Sequence, residues 1–279
     1  MDFSKLGAAA ATADDLTQEK SFERQIPRAG VALLRLREYL ELGRHASNNP
    51  AHKPSQKVIL VFELSHPDHL IEVEGKKVPQ SFMVRLNKGG TSKSGYRKLF
   101  SLMNEACGNK YNHFVQMIGE AFIGKLYHNK SEDGKNTYVN LDKDGAYFIQ
   151  APMMEDPITG TKTPVPVREL DGTPRAFLWE NEGVSDDDIK AMWESIFIDG
   201  VREVEDAKTK EKKEVSKNWI QETIMKNLEW EGSRTQGLVT EFVNLEEAAI
   251  TEQPVETPVQ QAAPVANLAA SAVPSLDDL

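Results

Sequence analysis

Val58-Ile59-Leu60-Val61-Phe62 sets five apolar residues in a row, four of them β-branched or aromatic. The run is far short of the roughly 18 residues that a bilayer span needs. It has no alternation that would give it a wet face, so it reads as a strand buried on both faces. The rest of the fold has to be arranged around it. Upstream, Ala32, Leu34, Leu36, Leu40 and Leu42 share one parity while Arg35, Arg37 and Tyr39 take the other. That period of two describes a half-buried strand with cations and an aromatic on its open face. Leu33, Leu36 and Leu40 also fit a helical stripe, but the flanking Gly30 and Gly43 favour β.

Downstream, Glu74-Gly75-Lys76-Lys77 marks a turn, and Phe82, Val84 and Leu86 alternate with Met83, Arg85 and Asn87 until Gly89-Gly90 breaks the strand. Ser94 is placed to cap a helix carrying Leu99, Leu102, Met103 and Ala106 at three- and four-residue spacing. A second short helix is expected near Asn112, with Val115, Met117 and Ile118 inward. Strands resume at 122–127, 137–141 and 147–149, with Asp133-Gly134 and Asp144-Gly145 as turns. Strands, a helix and strands again within about 120 residues predict a mainly β fold with some α: a five-stranded Greek-key barrel, a helix across its base.

That barrel domain is expected over residues 28–152, behind a mobile alanine-rich arm at 1–27. Residues 153–230 read as an irregular and helical extension. Within it Ser185 and Asp188 approximate a capping box, with Val184 and Ile189 as a hydrophobic staple. Met192, Trp193 and Phe197 are expected inward, residues 202–217 are a charge run, and Trp219 to Leu228 form a last short helix. Residues 251–279, rich in proline, alanine and glutamine, bury too little to offset their ordering entropy, and the whole of 231–279 is expected to be a disordered acidic tail. One cysteine, Cys107, excludes a disulfide framework, and the acids after the alanine tract do not suit a signal peptide. A soluble cytoplasmic protein is the expectation, with no membrane partner.

The formal net charge of -10 excludes a uniformly basic binder, yet it hides a segregation. Residues 80–130 hold eight bases against two acids, while residues 231–279 hold one base against eight acids. Cations and aromatics interleave in the basic segment: Phe82, Arg85, Lys88, Lys93, Tyr96, Arg97 and Lys98, then Lys125, Tyr127, Lys130 and Tyr138. Single-stranded nucleic acid calls for this pairing, because cations replace counterions along the backbone and flat side chains stack on bases at roughly 1–3 kcal/mol each. With Arg35 and Arg37 from the first strand, and leaving out Lys130, these form the candidate binding set. The plain alternative is that Phe82 and Phe100 are core and the lysines a solvated face. An acidic tail can compete for such a groove and, once displaced, recruit partner proteins.

Sites for catalysis are not evident. Lys88-Gly-Gly-Thr-Ser-Lys-Ser-Gly95 lacks the Gly-Lys-Ser/Thr order of a phosphate loop. Glu63, His66, Asp68 and His69 are metal-capable by type but match no ligand spacing. Asp186, Asp187 and Asp188 could bind magnesium, yet carboxylates in a first helical turn are expected from the macrodipole alone. Cys107 has no base beside it in sequence, so the expectation is a non-enzyme without cofactor or metal.

Arg28-Ala-Gly-Val-Ala-Leu-Leu-Arg-Leu-Arg-Glu-Tyr-Leu-Glu-Leu-Gly43, Lys57-Val-Ile-Leu-Val-Phe-Glu-Leu64, Ser94-Gly-Tyr-Arg-Lys-Leu99 and Phe122-Ile-Gly-Lys-Leu-Tyr127 resemble, in order and spacing, bacteriophage-type single-stranded DNA-binding proteins with an OB-fold core. The resemblance covers about residues 25–150. It implies a non-catalytic protein that coats single strands in phage DNA replication and recombination, in the host cytoplasm, with an acidic C-terminal tail recruiting replication or recombination proteins. Leu276, Asp277, Asp278 and Leu279 look like a reduced form of that tail, without its terminal aromatic. Residues 153–230 have no counterpart and are open to packing on the barrel or to a contact between protomers of a homo-oligomer. The alternative function is a phage structural or scaffold protein acting through protein–protein contacts.

Overall fold

A computed structural model describes residues 26–47, 49–73, 75–131, 134, 136–205 and 212–239. The expected arm at 1–27 and tail at 231–279, with Leu276 to Leu279, therefore lie largely or wholly outside the described residues. In chain order the elements are β1 (Gly30–His45), β2 (Ser55–Leu64), β3 (Leu70–Val73), β4 (Lys76–Pro79), β5 (Ser81–Asn87), α1 (Gly95–Ala106), β6 (Ala121–Lys130), β7 (Thr137–Asn140), β8 (Asp142–Lys143), β9 (Ala146–Tyr147), β10 (Ile149–Gln150), β11 (Met153–Glu155), β12 (Lys162–Pro164), β13 (Arg175–Phe177), α2 (Asp186–Ser195), β14 (Val201–Glu205), β15 (Lys212–Ser216) and α3 (Trp219–Met225). The fold is mainly β with a few helices.

The main sheet runs β10-β6-β1-β2-β5, with β7 paired to the far part of β6 and β13 paired to β1. The remaining strands make hairpins of two, β3-β4, β8-β9, β11-β12 and β14-β15. Every pairing in the main sheet is antiparallel except β1 with β13, which is parallel from Glu38↔Arg175 to Leu40↔Phe177. Among the described residues β5 pairs only with β2, so the sheet stays open where a closed barrel was expected.

The register of β1 against β2 shifts between Leu36 and Glu38, and that shift organises the molecule. A β-bulge puts two residues opposite one and exchanges the faces of everything beyond it. Before it, Ala32, Leu34 and Leu36 point into an inner core with Val58, Leu60, Phe62, Phe82 and Val84. After it Tyr39 points there, while Leu40 and Leu42 turn to an outer core with Ile59 and Val61. The single parity read across Ala32 to Leu42 is thus corrected: one strand feeds two layers. The Val58–Phe62 run behaves as expected, its alternate residues serving opposite cores.

The inner core is closed by Tyr96, Leu99 and Met103 of α1 and by Phe114 and Met117 of a 3-10 turn at Phe114–Met117, in place of the helix expected near Asn112. The outer core is closed by the extension, through Phe177, Trp179, Ile196, Ile220, Ile224 and Trp230, and by Val239 from the segment expected as tail. Each such fully buried side chain contributes about 1.5–3 kcal/mol. Ser94 caps α1 by accepting the Arg97 N–H at 3.2 Å, and Ser185 caps α2 by accepting the Asp188 N–H at 3.2 Å. Phe197 corrects the expected inward stripe, being 53% exposed while its neighbour Ile196 is fully buried. The described residues of the charge run pair as β14 with β15. No helix among the described residues is long and apolar enough to cross a membrane.

Candidate nucleic-acid interface

Several of the predicted contact residues are taken up inside the fold. Arg35, with 11% of its side chain exposed, donates from Nε to the Arg168 carbonyl at 2.9 Å and from Nη2 to the Val167 carbonyl at 3.0 Å. Arg37 donates to buried Glu38 at 2.8 Å, and Glu38 also accepts from Arg175 at 2.9 Å. Glu63 accepts the N–H groups of Asp171 and Gly172 at 2.8 and 3.1 Å. These residues pin segment 167–175 along β1, so Arg35 and Arg37 are structural rather than open to a strand. Phe82 stacks on Phe62 in the inner core at 5.6 Å between centroids. Tyr96 is buried, its hydroxyl 3.0 Å from that of Tyr39. The Arg85 guanidinium sits 5.8 Å over the Trp219 ring. In each case a side chain expected to face a strand is instead covered by another part of the chain.

Lys93, Arg97, Lys98 and Lys125 remain exposed, with Tyr127 and Tyr138 half-buried. Arg97 and Lys98 stand in the first turn of α1, which carries no acid there. The partial positive charge of a helix start disfavours cations by about 0.3–1 kcal/mol. By contrast α2 begins with Asp186, Asp187 and Asp188, as that field prefers. Among the described residues nothing in the packing demands two cations at α1, and an anionic ligand would reverse their cost. The Arg97 guanidinium lies 6.0 Å over Phe100, and the Lys125 ammonium 5.6 Å over Tyr127. Lys98 reaches the Gly145 carbonyl at 3.4 Å, which sets α1 beside the β8-β9 turn, and β8 lies against β6. In that turn Asp144 and Gly145 both take positive φ, 54° and 75°, as a two-residue Asp-Gly hairpin requires.

Between the start of α1 and the end of β5 a cleft of about 390 Å³ opens, lined by Glu41, Gln56, Lys88, Gly89, Gly90, Tyr96, Arg97 and Trp179. Its floor is Glu41, 4% exposed, which accepts from Lys88 Nζ at 2.6 Å, the Tyr39 hydroxyl at 2.8 Å and the Trp179 N–H at 3.1 Å. Burial, then the Glu41 charge, holds the Tyr39 hydroxyl far above its usual range. His113 lies 3.9 Å from Glu41, and burial lowers its pKa. Lys88 thus serves an internal acid and still stands at the rim, 37% exposed. Glu41, Gln56 and Trp179 were missed from sequence. The one legible signal was an acid inside the apolar stretch of β1.

Among the described residues no group of three His, Cys, Asp or Glu side chains is placed to hold a metal. Asp186 is instead paired with Arg234, whose Nε donates to it at 2.7 Å. No family model, curated protein or solved structure matches the chain.

Proposed function

We propose that the protein binds single-stranded nucleic acid, DNA first of all, without catalysing a reaction on it. The observation that carries this is the pair of dipole-opposed cations in the first turn of α1, flanked by Lys93 and the half-free Lys88, with Lys125 over Tyr127 on β6. The strand order adds support. A three-stranded meander β1-β2-β5, a helix, then β6 on the other side of β1 and β7 on β6 follows the connectivity of an OB-type barrel left open at one seam. The acidic C-terminal segment is proposed to compete for the basic surface and to recruit replication or recombination proteins.

The test is fluorescence anisotropy with a labelled oligo-dT of about 30 nucleotides against its duplex, over a salt series. Single strands are expected to bind preferentially and to weaken steeply with salt. Lys93→Ala/Arg97→Ala/Lys98→Ala is expected to lower the log–log salt slope by about two, near 0.7 for each phosphate that is no longer neutralised. An unchanged slope in a folded triple variant removes α1 from the interface. Deleting residues 240–279 is expected to tighten binding if the tail competes.

A second reading, a structural or scaffold protein, is favoured by one observation. The hairpins β11-β12 and β14-β15 carry exposed apolar side chains: Met154 and Ile158 on the first, Val201 and Val204 on the second, with Phe197 just before it. It predicts a defined large assembly by light scattering and no salt-dependent oligonucleotide binding.

A further inference from the structure

We propose that the cleft over Glu41 is a base-specific subsite that takes one nucleotide of the bound strand and favours a base bearing an exocyclic amino group. The inference rests on the single-strand reading and goes beyond it, since a basic surface alone recognises backbone and not bases.

The cleft divides its charges by depth. Lys88 and Arg97 stand at the rim beside the Gly89-Gly90 backbone, where a phosphate would meet cations. The floor is the Glu41 carboxylate, with Tyr96 and Trp179 as largely apolar walls. A volume of about 390 Å³ has room for a nucleotide and is too small for a peptide helix or a duplex. A phosphate at depth would meet the carboxylate, so the strand enters base first.

The floor is also fixed in chemistry. A carboxylate only accepts hydrogen bonds, and Glu41 is held by the Tyr39 hydroxyl of its own strand and by the Trp179 N–H from 138 positions away. Lys88 alone among its donors is exposed enough to swing to a phosphate, which would free a carboxylate lone pair toward the base. An amino group of cytosine, adenine or guanine satisfies it, whereas thymine flanks its only N–H with two carbonyl oxygens that the carboxylate repels.

The two glycines of the rim differ in what the fold asks of them. A Cβ on Gly89 would meet Ser94 Cβ at 2.7 Å, so its size is set by α1 packing. A Cβ on Gly90 would meet nothing within 4 Å, and Gly90 is not in the left-handed region. Among the described residues nothing requires a glycine there, and its absent side chain leaves the mouth of the cleft clear.

Gly90→Val therefore narrows the mouth without changing charge or packing. The experiment measures affinity of full-length protein for (dC) and (dT) oligonucleotides of about 12 nucleotides, with circular dichroism to check folding. Wild type is expected to favour (dC) by about tenfold or more, the worth of one hydrogen bond to a charged group. Gly90→Val is expected to lose that preference while keeping the salt slope, and Glu41→Gln, of the same shape, to lose it too. Binding of both oligonucleotides equally by wild type, or a preference untouched in Gly90→Val, overturns the subsite and leaves the single-strand reading intact. Failure of wild type to bind either oligonucleotide overturns both.

Discussion

Glu41 is the residue on which the most depends locally. Its three donors come from β1, from the loop after β5 and from the chain beyond β13. Removing the acid strands the Tyr39 hydroxyl and the Trp179 N–H in a buried place while Lys88 can turn to solvent, so Glu41→Ala is expected to cost about 2–4 kcal/mol, read as a shift in urea midpoint at unchanged m-value. Gly43 is demanding for another reason. It stands at the second register shift of β1 with φ of 82°, and a Cβ there would meet Asn227 Cγ at 2.5 Å. Gly43→Ala combines backbone strain with overpacking and is expected to cost about 2–4 kcal/mol. Cys107 is half-buried, and burial, followed by the Glu120 charge, pushes its thiol up to about 11. At pH 8 only about 0.1% is then thiolate, so alkylation is expected to be far slower in native than in urea-unfolded protein.

At the scale of elements, helix α1 both seals the inner core with Leu99 and Met103 and shows its cations to solvent. Ser94→Ala removes the cap and is expected to lower stability by about 1 kcal/mol while weakening strand binding, because the cap also fixes the turn that carries Lys93. These local features were legible in the sequence: the cap, the helical stripe, the Asp144-Gly145 turn and the doubly buried β2 are all short-range patterns. The roles of Arg35, Arg37, Phe82 and Tyr96 were not. Alternation says that two faces differ, but it does not say what covers the second one. A single bulge at Leu36/Glu38 moved Tyr39 inward, and an extension without a repeating pattern supplied the cover. Within residues 153–230, the stretch around Arg175–Phe177 looked irregular because its pairing partner, β1, lies more than 130 positions away, where local periodicity carries no information.

At the scale of the whole molecule, three histidines from different places carry the same bias. Burial first of all lowers the pKa values of His45, His69 and His113 from 6.5. Above the ordinary value both folded and unfolded chains hold these rings neutral. As pH falls through it, the unfolded chain takes up protons that the native protein resists, and stability is lost. The urea midpoint is therefore expected to fall between about pH 7 and pH 5, and less so in His45→Gln/His69→Gln/His113→Gln. The parallel seam of β1 with β13 has a consequence in time as well as space. The Glu38–Arg175 ion pair joins positions 137 apart, so during synthesis the outer face of β1 and β2 emerges from the ribosome long before its cover does. Contacts of such separation form late. A growing chain with residues 26–150 free would hold a finished inner core under a naked apolar sheet, and release from that hazard comes only when Phe177 and Trp179 arrive.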